Sequence, residues 1–221
     1  MSYLINPYRF GSPINILDVT SGDDAGVATL NHTVGLPASI VSGQRLIAVF
    51  ASQENTTTWP AGWTELCDGG TGGQVNISAA YRDCDGSEGA SITVTTGSSR
   101  ADGWSVIRIA AGSFNPAAPE VGTIATGNDA NPDCPSLTPS WGSLNTYWIA
   151  AAAGKQNATP RTVSSYPATF TENQTTQSTA STNAVFLAGL TAIAASKDPG
   201  TFTLSGSSQW AANTIAVRSA V

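Results

Sequence analysis

The stretch "SITVTTGSS" (91–99) alternates Ile92 and Val94 with Ser and Thr. Successive side chains of a strand point to opposite faces, so this period of two indicates a strand with one buried face. The alternation recurs in "TFTLSGSS" (201–208) and "NTIAV" (213–217), and clusters of Gly, Asp, Pro and Ser separate such runs. Apolar residues at helical spacing are not sustained along the chain. The sequence therefore predicts an all-β protein.

The same stretch has a counterpart later in the chain, and so do three others. Four blocks recur in the same order at offsets of about 101 to 110 residues. Their common order and spacing predict two weakly similar halves. The paired blocks are RLIAVFAS (45–52) with TYWIAAAA (146–153), WPAGWTEL (59–66) with YPATFTEN (166–173), SITVTTGSS (91–99) with TFTLSGSS (201–208), and WSVIRIA (104–110) with NTIAVRSA (213–220).

Each half supplies four or five strands, too few to bury both faces of a sheet. We therefore expect the halves to pack as the facing sheets of one sandwich. Two further candidate strands lie upstream, in "INILDV" (14–19) and "VATLNHTV" (27–34). The total of roughly ten strands favours a jelly-roll-like antiparallel β-sandwich.

The expected domain organisation is an extended N-terminal arm (1–13) followed by a single β-sandwich domain (14–221). Within that domain the repeats occupy about 43–111 and 143–220. The segment between them, 112–142, contains five prolines and is predicted to be a long crossover.

Composition argues against several partners. The 221 residues include 9 Lys and Arg against 15 Asp and Glu, a formal net charge of −6. Nucleic-acid binding needs clustered basic residues, so this balance disfavours it. The longest uncharged apolar run, residues 184–195, is shorter than the roughly 20 residues that cross a bilayer, so we expect no membrane insertion.

No catalytic residue or cofactor is predicted. His32 is the only histidine, and neither a nucleophile elbow nor a Cys–His pair at a recognisable spacing accompanies it. One histidine and three scattered cysteines do not form a usual metal-ligand set, so a His-based metal site is not expected. A bridge between Cys67 and Cys84 stays open as an alternative to free thiols.

Two other features have a structural and a functional interpretation. In "DCDGSEG" (83–89), Asp83, Asp85 and Glu88 offer oxygen ligands for calcium, but a glycine-containing hairpin turn explains the same pattern. Trp59 and Tyr166 each precede a proline in a predicted turn. They are therefore the candidate residues for stacking on a glycan.

The N-terminal stretch "SYLINPYRFGSP" (2–13) lacks the basic start and long apolar run of a secretory signal. Its prolines keep it extended, and such a segment can dock on the edge of another sheet. We predict a partner-binding arm, and folding back onto the chain's own domain is the alternative. The candidate binding residues are Tyr3, Leu4, Ile5, Tyr8, Arg9 and Phe10.

The arm sequence "YLINPYRFG" resembles the N-terminus of many tailed-phage virion accessory proteins. The rest of the chain, in motifs such as "TWPAGWTEL", "WSVIRI" and "DPGTFTLSGSSQWAANTIAVR", is similar to a family of phage and prophage structural proteins. The resemblance covers most of the chain and carries no catalytic motif. A long repetitive shaft, as in a complete fibre, is not seen.

The resemblance implies a non-enzymatic virion component, either a capsid decoration or a tail or fibre attachment protein. Its expected partners are other virion proteins, in the head or the tail, and copies of itself. The first alternative is a host-glycan-binding module on the virion. The second is a polysaccharide-degrading enzyme, which would need two carboxylates facing each other across a cleft.

Overall fold

A computed structural model describes residues 13–53, 56–155, 160–177 and 183–220. Within these ranges the chain forms strands and no helix. The described residues accordingly contain no helix long and apolar enough to span a membrane. The all-β prediction is confirmed. The strands are β1 (Ile16–Gly22), β2 (Thr29–Gly35), β3 (Arg45–Ser52), β4 (Thr57–Thr58), β5 (Thr64–Thr71), β6 (Val75–Asp83), β7 (Ser91–Arg100), β8 (Gly103–Ile109), β9 (Glu120–Val121), β10 (Ala125–Asp129), β11 (Asp133–Cys134), β12 (Leu144–Lys155), β13 (Val163–Ser165), β14 (Glu172–Gln177), β15 (Asn183–Ala194), β16 (Gly200–Thr201), β17 (Thr203–Leu204) and β18 (Ser208–Arg218).

Two large antiparallel sheets face each other. The first has the order β1-β8-β3-β6-β5, and the second has the order β10-β18-β12-β15-β14, with β9 also paired to β18. The two orders correspond position by position: β1 with β10, β8 with β18, β3 with β12, β6 with β15, and β5 with β14. The four repeated sequence blocks fall at or beside corresponding strands: β3 with β12, β5 with β14, β7 with β16 and β17, and β8 with β18.

Each large sheet is also covered on its outer face by smaller sheets. The order β2-β7-β4 covers the first large sheet, and the pairs β11-β16 and β13-β17 cover the second. The molecule therefore has four layers, where the sequence predicted two facing sheets. The reason is that strands such as β3, buried at all eight positions, need apolar cover on both faces.

Three apolar cores result from this layering. The central core lies between the large sheets and includes Ile47, Tyr147 and Ile215. The outer core of the first half includes Phe50, Val94 and Trp104. The outer core of the second half contains Trp148, Phe170, Phe186 and Phe202 together with several alanines.

The antiparallel β-sandwich is confirmed, and the jelly-roll assignment stays a prediction. In the first half, β1, β3, β5, β6 and β8 lie in the large sheet, and β2, β4 and β7 lie in the small sheet, so the chain changes layer at every connection except the one between β5 and β6. That alternation supports the assignment because a jelly roll is a double sheet built from two Greek keys.

The proline-rich segment 112–142 contributes strands to the second half. It contains β9, β10 and β11, and Val121 and Ile124 pack against the central core. The fully buried Arg45 side chain holds residues 115–117, near the start of this segment, by hydrogen bonds to their carbonyls. The guanidinium donates to the carbonyl of Ala117 at 2.8 Å, pairs with Asp83 at 2.6 Å, and lies between the rings of Tyr81 and Phe114.

Candidate functional site

The residues predicted to bind a partner, Tyr3 to Phe10, lie outside the described residues. The described chain begins three residues after Phe10, at Pro13. Ile14 is buried in the central core between the large sheets, and the Asn15 carbonyl accepts a hydrogen bond from the Ala110 N–H at 2.9 Å. The point where the arm joins the body is therefore held by the body.

Trp59, a candidate glycan-binding residue, packs on the outer core of the first half. Its indole N–H donates to Ser78 Oγ at 2.9 Å, and its ring stacks on Trp63 with centroids 5.6 Å apart. Tyr166 has a similar setting in the second half, where its hydroxyl bonds Thr176 Oγ1 at 2.8 Å and its ring meets Phe202 edge-on. Both side chains are only partly exposed, so each presents limited ring area to a ligand.

An open cavity of about 180 Å³ lies beside the Trp59–Trp63 stack. Its lining combines the indole-bearing Trp63 with Arg82, Ser87 and Glu88, and Glu88 is the one residue of the lining with a carboxylate. The lining residues are Pro60, Ala61, Trp63, Arg82, Ser87, Glu88 and Ile92.

The acidic loop at 83–89 is a hydrogen-bonded turn. Glu88 accepts from the backbone N–H groups of Asp85 and Gly86 and from Arg82 Nε at 3.0 Å, and Arg82 also pairs with Asp85. Burial alone would raise the pKa of Glu88, but these hydrogen bonds outweigh it and lower the pKa below its ordinary value. With Asp83 paired to Arg45, each of these carboxylates already has a cationic partner.

All three cysteines are free, so the Cys67–Cys84 bridge is not formed. Burial raises the pKa of both the Cys67 and Cys84 thiols to about 12, and it raises the pKa of Cys134 further. Because the thiolate is the reactive form, these cysteines are poor nucleophiles.

The structure also brings together a polar cluster that the sequence did not reveal. Asp24 lies in the turn between β1 and β2, His32 on β2, Thr96 on β7, and Asp102 directly before β8. His32 Nδ1 is 2.7 Å from Asp24 Oδ2 and 3.5 Å from Asp102 Oδ2, and His32 Nε2 is 3.0 Å from Thr96 Oγ1. The side chains of His32 and Asp102 are fully buried, and that of Asp24 is 15% exposed.

Burial shifts both buried ionisable groups of this cluster toward neutrality. It raises the pKa of Asp102 to about 8, and the nearby Asp24 charge adds to the effect. Burial also lowers the pKa of His32, against the opposing influence of the Asp24 carboxylate. In the described part of the chain, this is the only group of three His, Cys, Asp or Glu side chains close enough to share a metal ion.

Sequence reasoning missed the cluster because its members are far apart in the chain. Asp24 and Asp102 meet through the antiparallel pairing of β1 with β8, which sets Gly22 opposite Trp104. The available signal was modest: an aspartate lies in each of the turns "GDDAG" (22–26) and "RADG" (100–103). Only knowledge of how β1 pairs with β8 would have predicted that these two segments lie side by side.

Comparisons of the chain with protein-family models, with curated proteins and with solved structures found no match. The resemblance to phage virion proteins therefore stays a prediction.

Proposed function

We propose that this chain is a non-enzymatic structural component of a tailed-phage virion, a capsid decoration or a tail or fibre attachment protein held by its N-terminal arm. The resemblance of "YLINPYRFG" suggests the assignment. The observation that carries it is the burial of Ile14 in the central core. An arm can hold the body at a defined place on a partner only if the residue where the arm begins is fixed to the body. The expected partners are other virion proteins and further copies of this chain.

Substitution within the arm tests this proposal. The double variant Tyr8→Ala/Phe10→Ala should fold like the wild type and be lost from purified particles. Val41→Ala, at an exposed apolar position on the body, is the matched control and should be incorporated normally. Normal incorporation of the arm variant would overturn the anchoring role.

The identity of the partner is tested by measuring mass in solution. Light scattering of the full chain is compared with that of a chain beginning at Gly11. An oligomer that becomes a monomer on truncation means that the arm joins copies of this protein. Two monomers of equal compactness mean that the arm binds a different virion protein, to be captured from disassembled particles.

The cavity beside Trp63 supports glycan binding as a second candidate function. The partly exposed Trp63 ring next to charged and hydroxyl side chains suits a sugar ring, which stacks through its C–H face and hydrogen-bonds at its edge. The second half does not offer the same surface, since Phe170, which corresponds to Trp63 in the repeat, is fully buried.

Saturation-transfer NMR with a panel of monosaccharides tests the second candidate. Trp63→Ala should abolish transfer to a sugar that binds, while Ser164→Ala, at an exposed position of the second half, should leave it unchanged. Degradation of a polysaccharide is the least supported role, because two carboxylates are needed across a cleft and Glu88 alone lines this one.

A further inference from the structure

The buried cluster around His32 has a hydrogen-bond arrangement that fixes the histidine tautomer. Thr96 Oγ1 is 2.9 Å from the Ser98 carbonyl, which can only accept, so the hydroxyl donates its proton there. The hydroxyl must then accept from His32 Nε2–H at 3.0 Å. In the neutral imidazole, Nδ1 is consequently unprotonated, so its 2.7 Å contact with Asp24 Oδ2 requires a cation, either a shared proton or a metal ion, between the two atoms.

Three electron-pair donors thus converge on one point inside the protein. They belong to Asp24, His32 and Asp102, and one donor atom of each residue lies within 4.8 Å of the other two. The two oxygens nearest His32 Nδ1 are Asp24 Oδ2 and Asp102 Oδ2. Asp102 Oδ2 is fully buried and has no hydrogen-bond partner, while Oδ1 of the same carboxylate accepts from the Asp24 backbone N–H at 2.8 Å. An unpartnered buried carboxylate oxygen is costly, and a cation bound at the point of convergence would stabilise the ionised form of Asp102, which burial alone disfavours.

We propose that Asp24, His32 and Asp102 bind a divalent transition-metal ion, for which zinc is the best fit. One imidazole nitrogen and two carboxylate oxygens match the donor types that zinc accepts. The Thr96 hydroxyl and the Asp24 N–H would act on the far side of these ligands, orienting the imidazole ring and the Asp102 carboxylate.

Both distances from His32 Nδ1 are close to those of a zinc site. Ligand atoms around a tetrahedral zinc are about 3.3 Å apart. The Nδ1–Asp102 Oδ2 distance is 3.5 Å, and the Nδ1–Asp24 Oδ2 distance is 2.7 Å. Asp24 would therefore shift by roughly half an ångström. It is the ligand able to do so, because it lies in a turn and is partly exposed.

The ion would have a structural role. It would join the β1–β2 turn, strand β2 and the residue preceding β8, and it would therefore tie the small sheet of the first half to its large sheet. The inference goes beyond the virion role and does not depend on it. Failure of zinc binding would leave the arm experiments unaffected.

The test is calorimetric titration of the full chain with zinc, after removal of any affinity tag and of bound metal by a chelator. We expect saturable binding at one equivalent with micromolar or tighter affinity. A zinc excess of about 100-fold over the dissociation constant should raise Tm by roughly 5–10 °C. Asp102→Asn should weaken binding at least about 100-fold. The control Asp85→Asn, which removes a carboxylate from the 83–89 turn, should leave zinc binding intact.

A second measurement keeps the proposal open to refutation if Asp102→Asn does not fold. Cobalt(II) added to the wild type should give an intense visible absorption of a four- or five-coordinate ion, and zinc should displace it. Weak binding of several equivalents, a pale octahedral cobalt spectrum, or equal affinity in Asp102→Asn would each overturn the proposal. Protons alone would then neutralise the cluster.

Discussion

The two halves share a strand order and differ in what their outer cores contain. The outer core of the second half is apolar, with Trp148, Phe186 and Phe202 surrounded by alanines. In the first half, His32 lies edge-on to Phe50 with ring centroids 5.1 Å apart, and Asp102 is buried nearby. Among its described residues, the second half closes the same architecture without a buried charged side chain. The shared strand order therefore does not by itself require the polar cluster of the first half.

The largest expected loss of stability comes from truncating one fully buried phenylalanine in each outer core. Phe50→Ala and Phe186→Ala each truncate a fully buried ring, and each should lower the free energy of unfolding by about 3–5 kcal/mol. Phe186→Ala should cost more, because its cavity is lined by apolar groups and stays dry, whereas water can enter beside His32. Urea unfolding at neutral pH measures both. A larger loss for Phe50→Ala would contradict the contrast between the two cores.

Arg45→Met tests the buried charge that the second half lacks among its described residues. The substitution leaves the carbonyls of Pro116 and Ala117 without their donor, and it should lower the free energy of unfolding by about 3 kcal/mol. Asp83→Asn is the control. Since the Asp83 side chain is 51% exposed, its loss should cost less than about 1 kcal/mol. Equal losses would mean that the ion pair, and not the carbonyl anchoring, stabilises this segment.

The sequence predicted the strands better than it predicted their layers. Period-two runs such as 91–99 became strands, and the repeated blocks lie on corresponding strands of the two sheets. The block alignment, however, pairs Leu46 with Tyr147, and these side chains face opposite sides of their sheets. Both strands are apolar on both faces, so no alternation fixes the register, and a slip of one residue exchanges the faces.

The candidate site was less predictable than the fold. Whether an aspartate in a turn meets a histidine on a strand depends on pairing between segments about 80 residues apart, as Gly22 opposite Trp104 illustrates. The glycan candidates were recognised by their proline neighbours, but Trp63, which lines the cavity, was not chosen. Its exposure depends on how β2-β7-β4 covers the large sheet, and local sequence does not encode that.

A pair of glycines sharpens the comparison where the halves agree. Gly22 on β1 lies opposite Trp104, and Gly127 on β10 lies opposite Trp210. A Cβ at either position would lie 2.4 or 2.3 Å from the indole ring. Both Gly→Ala variants should therefore lose about 1–3 kcal/mol. The control is Ser164→Ala, at an exposed position. A third glycine such as Gly73 would not serve, because its positive φ strains any alanine placed there.

The Gly22 and Gly127 variants should differ in one respect. Trp210 Nε1 donates to Asp129 Oδ1 at 3.0 Å, whereas Trp104 Nε1 is buried without a partner. Displacing Trp210 therefore breaks a hydrogen bond, and displacing Trp104 does not. Gly127→Ala should accordingly be the more destabilising of the two in urea unfolding. The opposite ranking would show that contact of Trp104 with Gly35 leaves its ring less room to move.

The smallest expected effect is on the pH dependence of stability, at the 83–89 turn and its counterpart in the second half. Glu88 in the first half has a pKa below its ordinary value of about 4.3, because its hydrogen bonds favour the carboxylate. A depressed pKa in the folded state stabilises the protein above the unfolded pKa, and this stabilisation is lost as pH falls through the folded value. Glu88→Gln should therefore cost about 1 kcal/mol at neutral pH and progressively less in acid. In the corresponding turn of the second half, the Asp198 carboxylate accepts from the Gly200 N–H at 3.2 Å, and Asp198→Asn measures the loss of that hydrogen bond at neutral pH. Urea unfolding of Glu88→Gln and of the wild type between about pH 3 and pH 7 measures the pH dependence. Parallel profiles for Glu88→Gln and the wild type would mean that the turn, and not the charge of Glu88, holds the 83–89 loop in place.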